Sequence, residues 1–310
     1  MLNYIVRRSL YAVPLIFGVT LITFILFNVV GGDPTPGMLG KHATAEEILS
    51  LRKDLGLEGS LLSQYGFFLR QCATFDFGRS WATKQDIWTM FKQGMGPSLA
   101  LTVPPFFICI CLSVSIALFC AYFRNSWFDR TMVFVCVIGM CVSMLAYIIA
   151  GQYYLSFRLG WFPISGWEPG FGCVKYLIVP WLIWIIVGLG GEVRFFRTVI
   201  LDETGQDYVR TAKAKGLTDR KILFKHILKN AMIPIITSVV IELPFLYTGS
   251  LLLENFFGVP GLGNMAVKAL NESDLPVIKA TVFVGAVLFI FANLLCDICY
   301  SLVDPRVKLE

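Results

Sequence analysis

The residues of this chain that could do chemistry are two histidines, nine cysteines and a glutamate set inside an apolar run. Their spacing completes none of the familiar reactive sites. A phosphate-binding loop needs G-x-x-x-x-G-K-[ST], because its glycines let backbone amides cradle the anion; Gly40-Lys41 is followed by His42 and lacks the upstream glycine. Cys296-x-x-Cys299 has no second pair and no nearby histidine, so a zinc set is not completed and no metal is expected. Cys109, Cys111, Cys120, Cys136, Cys141, Cys296 and Cys299 lie in apolar runs and read as small packing residues. Cys72 and Cys173 lie outside those runs, and a bridge between them requires a proximity that spacing alone does not provide. His42 and His226 fall on opposite faces of the topology derived below. An intramembrane enzyme is therefore a weak reading.

Recognition chemistry is concentrated elsewhere. Nine of the twenty-six basic residues fall between Glu192 and Ala231. Asp202 to Lys215 has no helix breaker apart from Gly205, Gly216 interrupts it, and Thr218 caps a second helix that runs on into an apolar stretch. On that second helix Leu223, Ile227 and Ala231, with Phe224 and Leu228, form an apolar face, and Lys221, Lys225 and Lys229 form a basic stripe. One use of such a helix is adhesion to anionic headgroups, worth about 1 kcal/mol per basic residue. Adhesion leaves the preceding run from Asp207 to Leu217 unexplained. Two short helices joined at a glycine, with an alanine where a backbone must come close, suit insertion into a cleft of another protein.

These residues are embedded in apolar runs. Of 310 residues, 56% are hydrophobic and 15% charged, with a mean hydropathy of +0.70, against roughly 45–50% and 25% in soluble domains. Disorder, collagen and a small disulfide scaffold are excluded. The runs are Ser9 to Val30, Ser98 to Phe123, Thr131 to Phe157, Tyr176 to Gly191, Met232 to Leu253 and Val277 to Val303. A hydrocarbon core about 30 Å thick takes about 20 helical residues; the fourth run needs its flanks or a tilted neighbour to reach that. Spanning backbone must satisfy its own hydrogen bonds, which leaves helices. The expected fold is all-α integral membrane with six transmembrane helices. The first run follows Arg7-Arg8, lacks a small-residue cleavage site and reads as an uncleaved anchor.

Orientation follows from Lys and Arg near helix ends. Arg7, Arg8, Arg124, Arg130, the nine between Glu192 and Ala231, Arg306 and Lys308 lie on one side, fifteen of twenty-six. This places both termini in the cytoplasm and makes the net charge of +5 a matter of topology rather than of nucleic acid. The long segment from Gly31 to Pro97 is then extracytoplasmic. It contains a capping-box spacing at Thr44 and Glu47, an apolar face of Ile48, Leu51 and Leu55, a second amphipathic stretch from Leu61 to Cys72, and a turn from Asp76 to Ser80. It reads either as a passive cap or as a platform for an outer partner. The expected divisions are 1–30 for the start and first span, 31–97 for the insertion, and 98–310 for the core containing the loop 192–231.

At Asp207-Tyr208-x-x-x-Ala212-x-Ala214-Lys215-Gly216-Leu217, followed by His226, Asn230 and Pro234, the chain resembles the transmembrane subunits of binding-protein-dependent ABC importers, specifically the first permease subunit of dipeptide and oligopeptide systems. Its pattern is that of the family's cytoplasmic EAA loop. Further similarity lies in Gly32-Asp33-Pro34, Leu55-Gly56-Leu57, Gln64-Tyr65, Asp76-x-Gly78-x-Ser80, Asp274-x-Pro276, Asn293-Leu294, Asp297, Tyr300 and Asp304-Pro305-Arg306. It extends to the outer turn Glu254-x-x-Phe257-x-x-Pro260-Gly261-Leu262-Gly263. The resemblance implies coupling helices between the fourth and fifth spans and an outer gate or turn between the fifth and sixth. It implies as partners a second homologous permease, two ATP-binding cassette subunits that hold ATP and magnesium, and a solute-binding protein, in the inner membrane. This chain itself would then hold no cofactor. Peptides are the implied cargo, with nickel, glutathione or another small solute as the alternative; an ion-coupled secondary transporter and a non-transporting receptor are the remaining classes.

Two positions depart from the family pattern. Ser273 replaces a basic residue before Asp274, and Glu242-Leu243-Pro244 sits mid-span. An ionisable group at that depth costs at least about 2.5 kcal/mol unless it faces water or a partner. Glu242 is either hydrogen-bonded or protonated within the bundle, or lines a pathway and meets a cationic part of the solute.

Overall fold

A computed structural model describes residues 2–30, 44, 52, 60–246 and 250–303, without the side chains of 2–9, 29–30, 244–245 and 295–303. Among the described residues the regular elements are helical, with one isolated bridge between Arg79 and Asp86. The capping box at Thr44 and Glu47, His42, Gly32-Asp33-Pro34, Leu55-Gly56-Leu57 and Asp304-Pro305-Arg306 lie outside the described residues, as do the side chains of Arg7, Arg8, Pro244, Cys296, Asp297, Cys299 and Tyr300.

Helix α1 (Leu2–Phe24) continues as a π-helical turn (Ile25–Val30). Helix α2 (Leu61–Thr74) begins where the Ser60 hydroxyl accepts from the Ser63 amide and stops at Phe75, which is left-handed. Helix α3 (Ile87–Tyr122) starts well before its apolar run and contains Pro97, Pro104 and Pro105. Next come α4 (Trp127–Cys141) and α5 (Met144–Gly151), the latter extended by a π-helical stretch (Gln152–Arg158). Helix α6 (Val174–Thr204) follows a short 3-10 turn. After α7 (Asp207–Ala214), α8 (Asp219–Ile222) passes through a π-helical stretch (Leu223–Ile227) into α9 (Leu228–Leu246). The last described elements are α10 (Leu251–Phe257), α11 (Leu262–Asn271) and α12 (Leu275–Val303).

Among the described residues five helical stretches are long and apolar enough to cross a membrane, and the pair α4 and α5 makes a sixth candidate bent by 92°. Two runs differ from expectation, and the fourth gains the flanks it needs. The third breaks at Val142, where extended backbone lets the Ser143 hydroxyl cap α5 by accepting from the Ala146 amide; hydropathy cannot register that break, because both sides are apolar. The fourth is lengthened by its flanks to Thr204. The fifth is described as far as Leu246, and Ser250 caps a separate helix that takes Leu251 to Leu253 with it. Asp202 to Lys215 likewise divides into the end of α6 and α7.

The chain separates into two units, the first being Met1–Gly94 with Met265–Leu294 and Leu309–Glu310, the second Met95–Asn264 with Leu295–Lys308. In the first, Phe24 packs on Tyr65 and Phe68, with ring centroids 5.3 and 6.5 Å apart, and the Thr20 and Tyr65 hydroxyls are 3.1 Å apart. The Asp274 carboxylate accepts from the Ser80 hydroxyl (2.5 Å) and from the Trp81 and Ala82 amides (3.2 and 3.3 Å). The Asp76-to-Ser80 turn and the Asp274-x-Pro276 pair, far apart in sequence, are thus one clasp. Lys279 donates to Asn28.

In the second unit, Leu101, Ile148, Leu177, Ile183, Leu253 and Phe257 form one core cluster. A second is built from Ala117, Phe196, Ile200, Val209, Ala212, Ile222, Ile227 and Ile235. Arg197 forks onto Asp129 at 2.6 and 2.8 Å, tying α6 to α4. Leu10, Phe107, Phe134 and Phe157 are among many exposed large apolar residues, which in water would be a liability and in lipid face their solvent. Cys72 and Cys173 are both free thiols, and burial pushes Cys72 up to about 12, so it stays protonated. Cys109, Cys120 and Cys136 pack inside as expected, whereas Cys111 and Cys141 are exposed.

Candidate functional site

The loop from Asp207 to Asn230 forms a two-helix platform. Asp207 in the first turn of α7 and Lys213 in the last complement the helix dipole. Val209 and Ala212 are 3% and 6% exposed and seat α7 on Ile200 and Ile222. Only a small side chain at Ala212 leaves room for that approach. The helix ends in a Schellman turn: the Gly216 amide donates to the Lys213 carbonyl (2.9 Å) and the Leu217 amide to the Ala212 carbonyl (3.3 Å). That turn needs a left-handed residue, and Gly216 supplies φ 76°. Ala214, Lys215 and Asp207 are exposed.

Tyr208 gathers the platform. Its hydroxyl donates to Glu203 at 2.6 Å, and Asn230 lies within hydrogen-bonding reach. Burial, then the Glu203 hydrogen bond, push its phenol up to about 12, so it remains a donor. Thr218 caps α8 in extended backbone without a side-chain hydrogen bond. Leu223, Ile227 and Ala231 are buried as the spacing predicts, while Phe224 is exposed, on the turn that also leaves Lys221, Lys225 and Lys229 exposed. His226 is half-buried in the π-helical stretch. The pairs Arg210–Asp207 and Lys213–Asp219, at 3.4 and 3.3 Å, are exposed and contribute little to stability.

The residues from Glu254 to Gly263 form a hairpin between α10 and α11 around one buried carboxylate. Glu254 is 0% exposed. Its Oε1 accepts from the Ser98 hydroxyl of α3 (2.7 Å), and its Oε2 accepts from the Asn264 amide (2.9 Å) at the start of α11. Ser98 Oγ in turn accepts from the Leu262 amide at 2.8 Å. A Cβ on Gly261 would overlap both the Glu254 carboxylate and Ser98 Oγ, which is the physical reason for glycine three residues past Gly258. Phe257 is 1% exposed in the Leu101 cluster, Pro260 is exposed, and the Phe257 carbonyl accepts from the Gly166 amide at 2.9 Å. Burial pushes the Glu254 carboxyl above the ordinary glutamate range, opposed by the hydrogen bonds from Ser98, Asn264 and Gly263.

Glu242 lies on the wall of a cavity of about 680 Å³ in the second unit, lined also by Met144, Trp184, Glu192, Phe195, Ser238 and Ser250. Glu192 was missed by the sequence reading, which ended the fourth span at Gly191 and assigned Glu192 to the loop. The signal was present, since a helix needing its flanks must carry Glu192 inside. Ser98 was also missed, as a single polar residue at the edge of an apolar run. The structure therefore brings the platform residues together in one place and the Glu254 hairpin residues in another, with Glu242 apart from both.

The chain matches two family models, the binding-protein-dependent transport system inner membrane component over residues 113–309 and the N-terminal part of such membrane components over residues 1–102. It is 30% identical to the dipeptide transport system permease protein DppB of Alkalihalophilus pseudofirmus, covering 99% of this chain and 100% of that one. It is also 30% identical to the glutathione transport system permease protein GsiC of Escherichia coli K12, covering 99% of each. Its fold is similar to that of a chain of the MetNI methionine ABC transporter in an inward-facing conformation, with a TM-score of 0.55 at 14% identity over 70% of this chain and 97% of that one. With its spanning helices, its two-helix platform and the matched models covering nearly its whole length, the chain belongs to the family of binding-protein-dependent transport system inner membrane components.

Proposed function

We propose that this chain is a pore-forming permease subunit of an ATP-driven importer of peptides, working with a second homologous permease, two ATP-binding cassette subunits and an extracytoplasmic solute-binding protein. The observation that carries the proposal is the platform from Asp207 to Asn230. Its apolar side is fixed to the core by Val209, Ala212, Leu223 and Ile227, and its outer side leaves Ala214, Lys215 and Gly216 exposed. A rigidly mounted pair of helices can transmit motion of a docked partner to α6 and α9, the helices that carry Glu192 and Glu242. Peptide cargo is supported by the dipeptide permease named above, and the glutathione permease keeps the other small solute in view. Both termini and the platform are then cytoplasmic, and ATP and magnesium are held by the cassette subunits. The protein is a transport subunit and not a catalyst.

Gly216 provides the test. A Cβ there meets no further atom within 4 Å among the described residues, so its internal penalty is the left-handed backbone, about 1–2 kcal/mol. A docked partner would meet the added atoms directly. Gly216→Val in the complete complex is expected to preserve assembly and to lower solute taken up per ATP hydrolysed by about tenfold, within the usual range of coupling energies. Parallel measurement of uptake and phosphate release in proteoliposomes reads the ratio. An unchanged ratio removes the platform from the coupling path.

A further inference from the structure

Glu192 of α6 and Glu242 of α9 line the same cavity. Among the described residues neither is ion-paired with a lysine or arginine, and Glu192 Oε2 is buried without a hydrogen-bond partner. Buried carboxylate oxygens are ordinarily supplied with donors, and two like charges in one cavity disfavour each other. A carboxylate with one unpartnered oxygen, on a cavity that a second carboxylate also lines, is the arrangement that an incoming cation completes. Trp184 and Phe195 add ring surface, which also attracts cations, and Ser238 and Ser250 add hydroxyls. The volume of about 680 Å³ is far larger than a bare metal ion needs and lies in the range of organic ligand sites, roughly 300–1,000 Å³.

We propose that Glu192 and Glu242 form a two-point site for organic dications, which under the peptide reading above means basic peptides, with the amino terminus on one carboxylate and a lysine or arginine side chain on the other. Anionic solutes are disfavoured at this site, and neutral peptides pass without the second contact.

The test uses the complete transporter in liposomes, ATP in the lumen and binding protein outside, with Lys-Ala-Lys and Ala-Ala-Ala as probes. Glu192→Gln and Glu242→Gln keep size while removing charge. Each is expected to reduce uptake of Lys-Ala-Lys by about fivefold to tenfold, and the double variant by more, while uptake of Ala-Ala-Ala changes by less than about twofold. Retained Ala-Ala-Ala uptake also shows that the variants fold. Equal losses for the two peptides, or no loss for either, overturns the proposal. If the parent transports neither peptide, the peptide reading fails, and the site is decided by lysinamide, a dication without a peptide chain. Protection of the purified complex against thermal unfolding by lysinamide, abolished in the double variant, supports the site; absent protection, or protection equal in the double variant, overturns it.

Discussion

Glu254→Ala is expected to destabilise the second unit by about 3 kcal/mol or more, because it leaves the buried Ser98 hydroxyl and the Asn264 amide without an acceptor, each worth about 1–3 kcal/mol. The loss is not confined to one helix. Ser98 Oγ also receives the Leu262 amide, so α3, α10 and the start of α11 lose a common anchor. Gly261→Ala should act in the same direction, since its methyl would occupy the space now held by the Glu254 carboxylate. Glu254→Gln should lie between, because an amide keeps one acceptor oxygen. Thermal unfolding in detergent reads the order parent, Gln, Ala. A Glu254→Ala chain as stable as the parent would mean that the hairpin is held by its apolar contacts through Leu253 and Phe257 alone.

Arg197→Met is the second large effect. Asp129 is 2% exposed and receives two hydrogen bonds from Arg197 and one from the Asn125 amide. Removing the arginine leaves an uncompensated buried charge, which in buried pairs costs about 3–5 kcal/mol; replacing both partners by apolar residues is often neutral. Arg197→Met should therefore lower stability by about 3 kcal/mol, and Asp129→Leu combined with Arg197→Met should restore most of it. Chemical or thermal unfolding of both variants gives the comparison. A double variant no better than the single would show that the salt bridge itself, rather than the orphaned Asp129, sets the stability.

Much of the architecture was legible from hydropathy, because lipid demands long apolar helices whatever else they do. What hydropathy lacked was any view of breaks inside apolar sequence. The turn at Val142 and Ser143 and the start of α10 both occur where a serine caps the next helix, and a lone serine among apolar residues carries little weight in a hydropathy window. The platform was legible because its requirements are local: small Ala212 under a close contact, left-handed Gly216 at a Schellman turn, and apolar Leu223 and Ile227 at helical spacing. The clasp of Ser80 on Asp274 was not legible, since the partners are 194 positions apart. Glu254 was found as part of a pattern, and its partner Ser98 was not, for the same reason. Glu242 stood out by its depth, but its meaning depended on Glu192, which only the true length of α6 brings to the same cavity.

The most direct measurement is solute uptake by proteoliposomes that contain this chain with its permease partner, cassette subunits and binding protein, with lumenal ATP held constant and ion gradients either imposed or collapsed by ionophores. The account predicts uptake that requires ATP and binding protein and is unchanged when the gradients are collapsed. Uptake that proceeds without ATP, or that disappears with ionophore at constant ATP, would contradict it and make the chain an ion-coupled transporter.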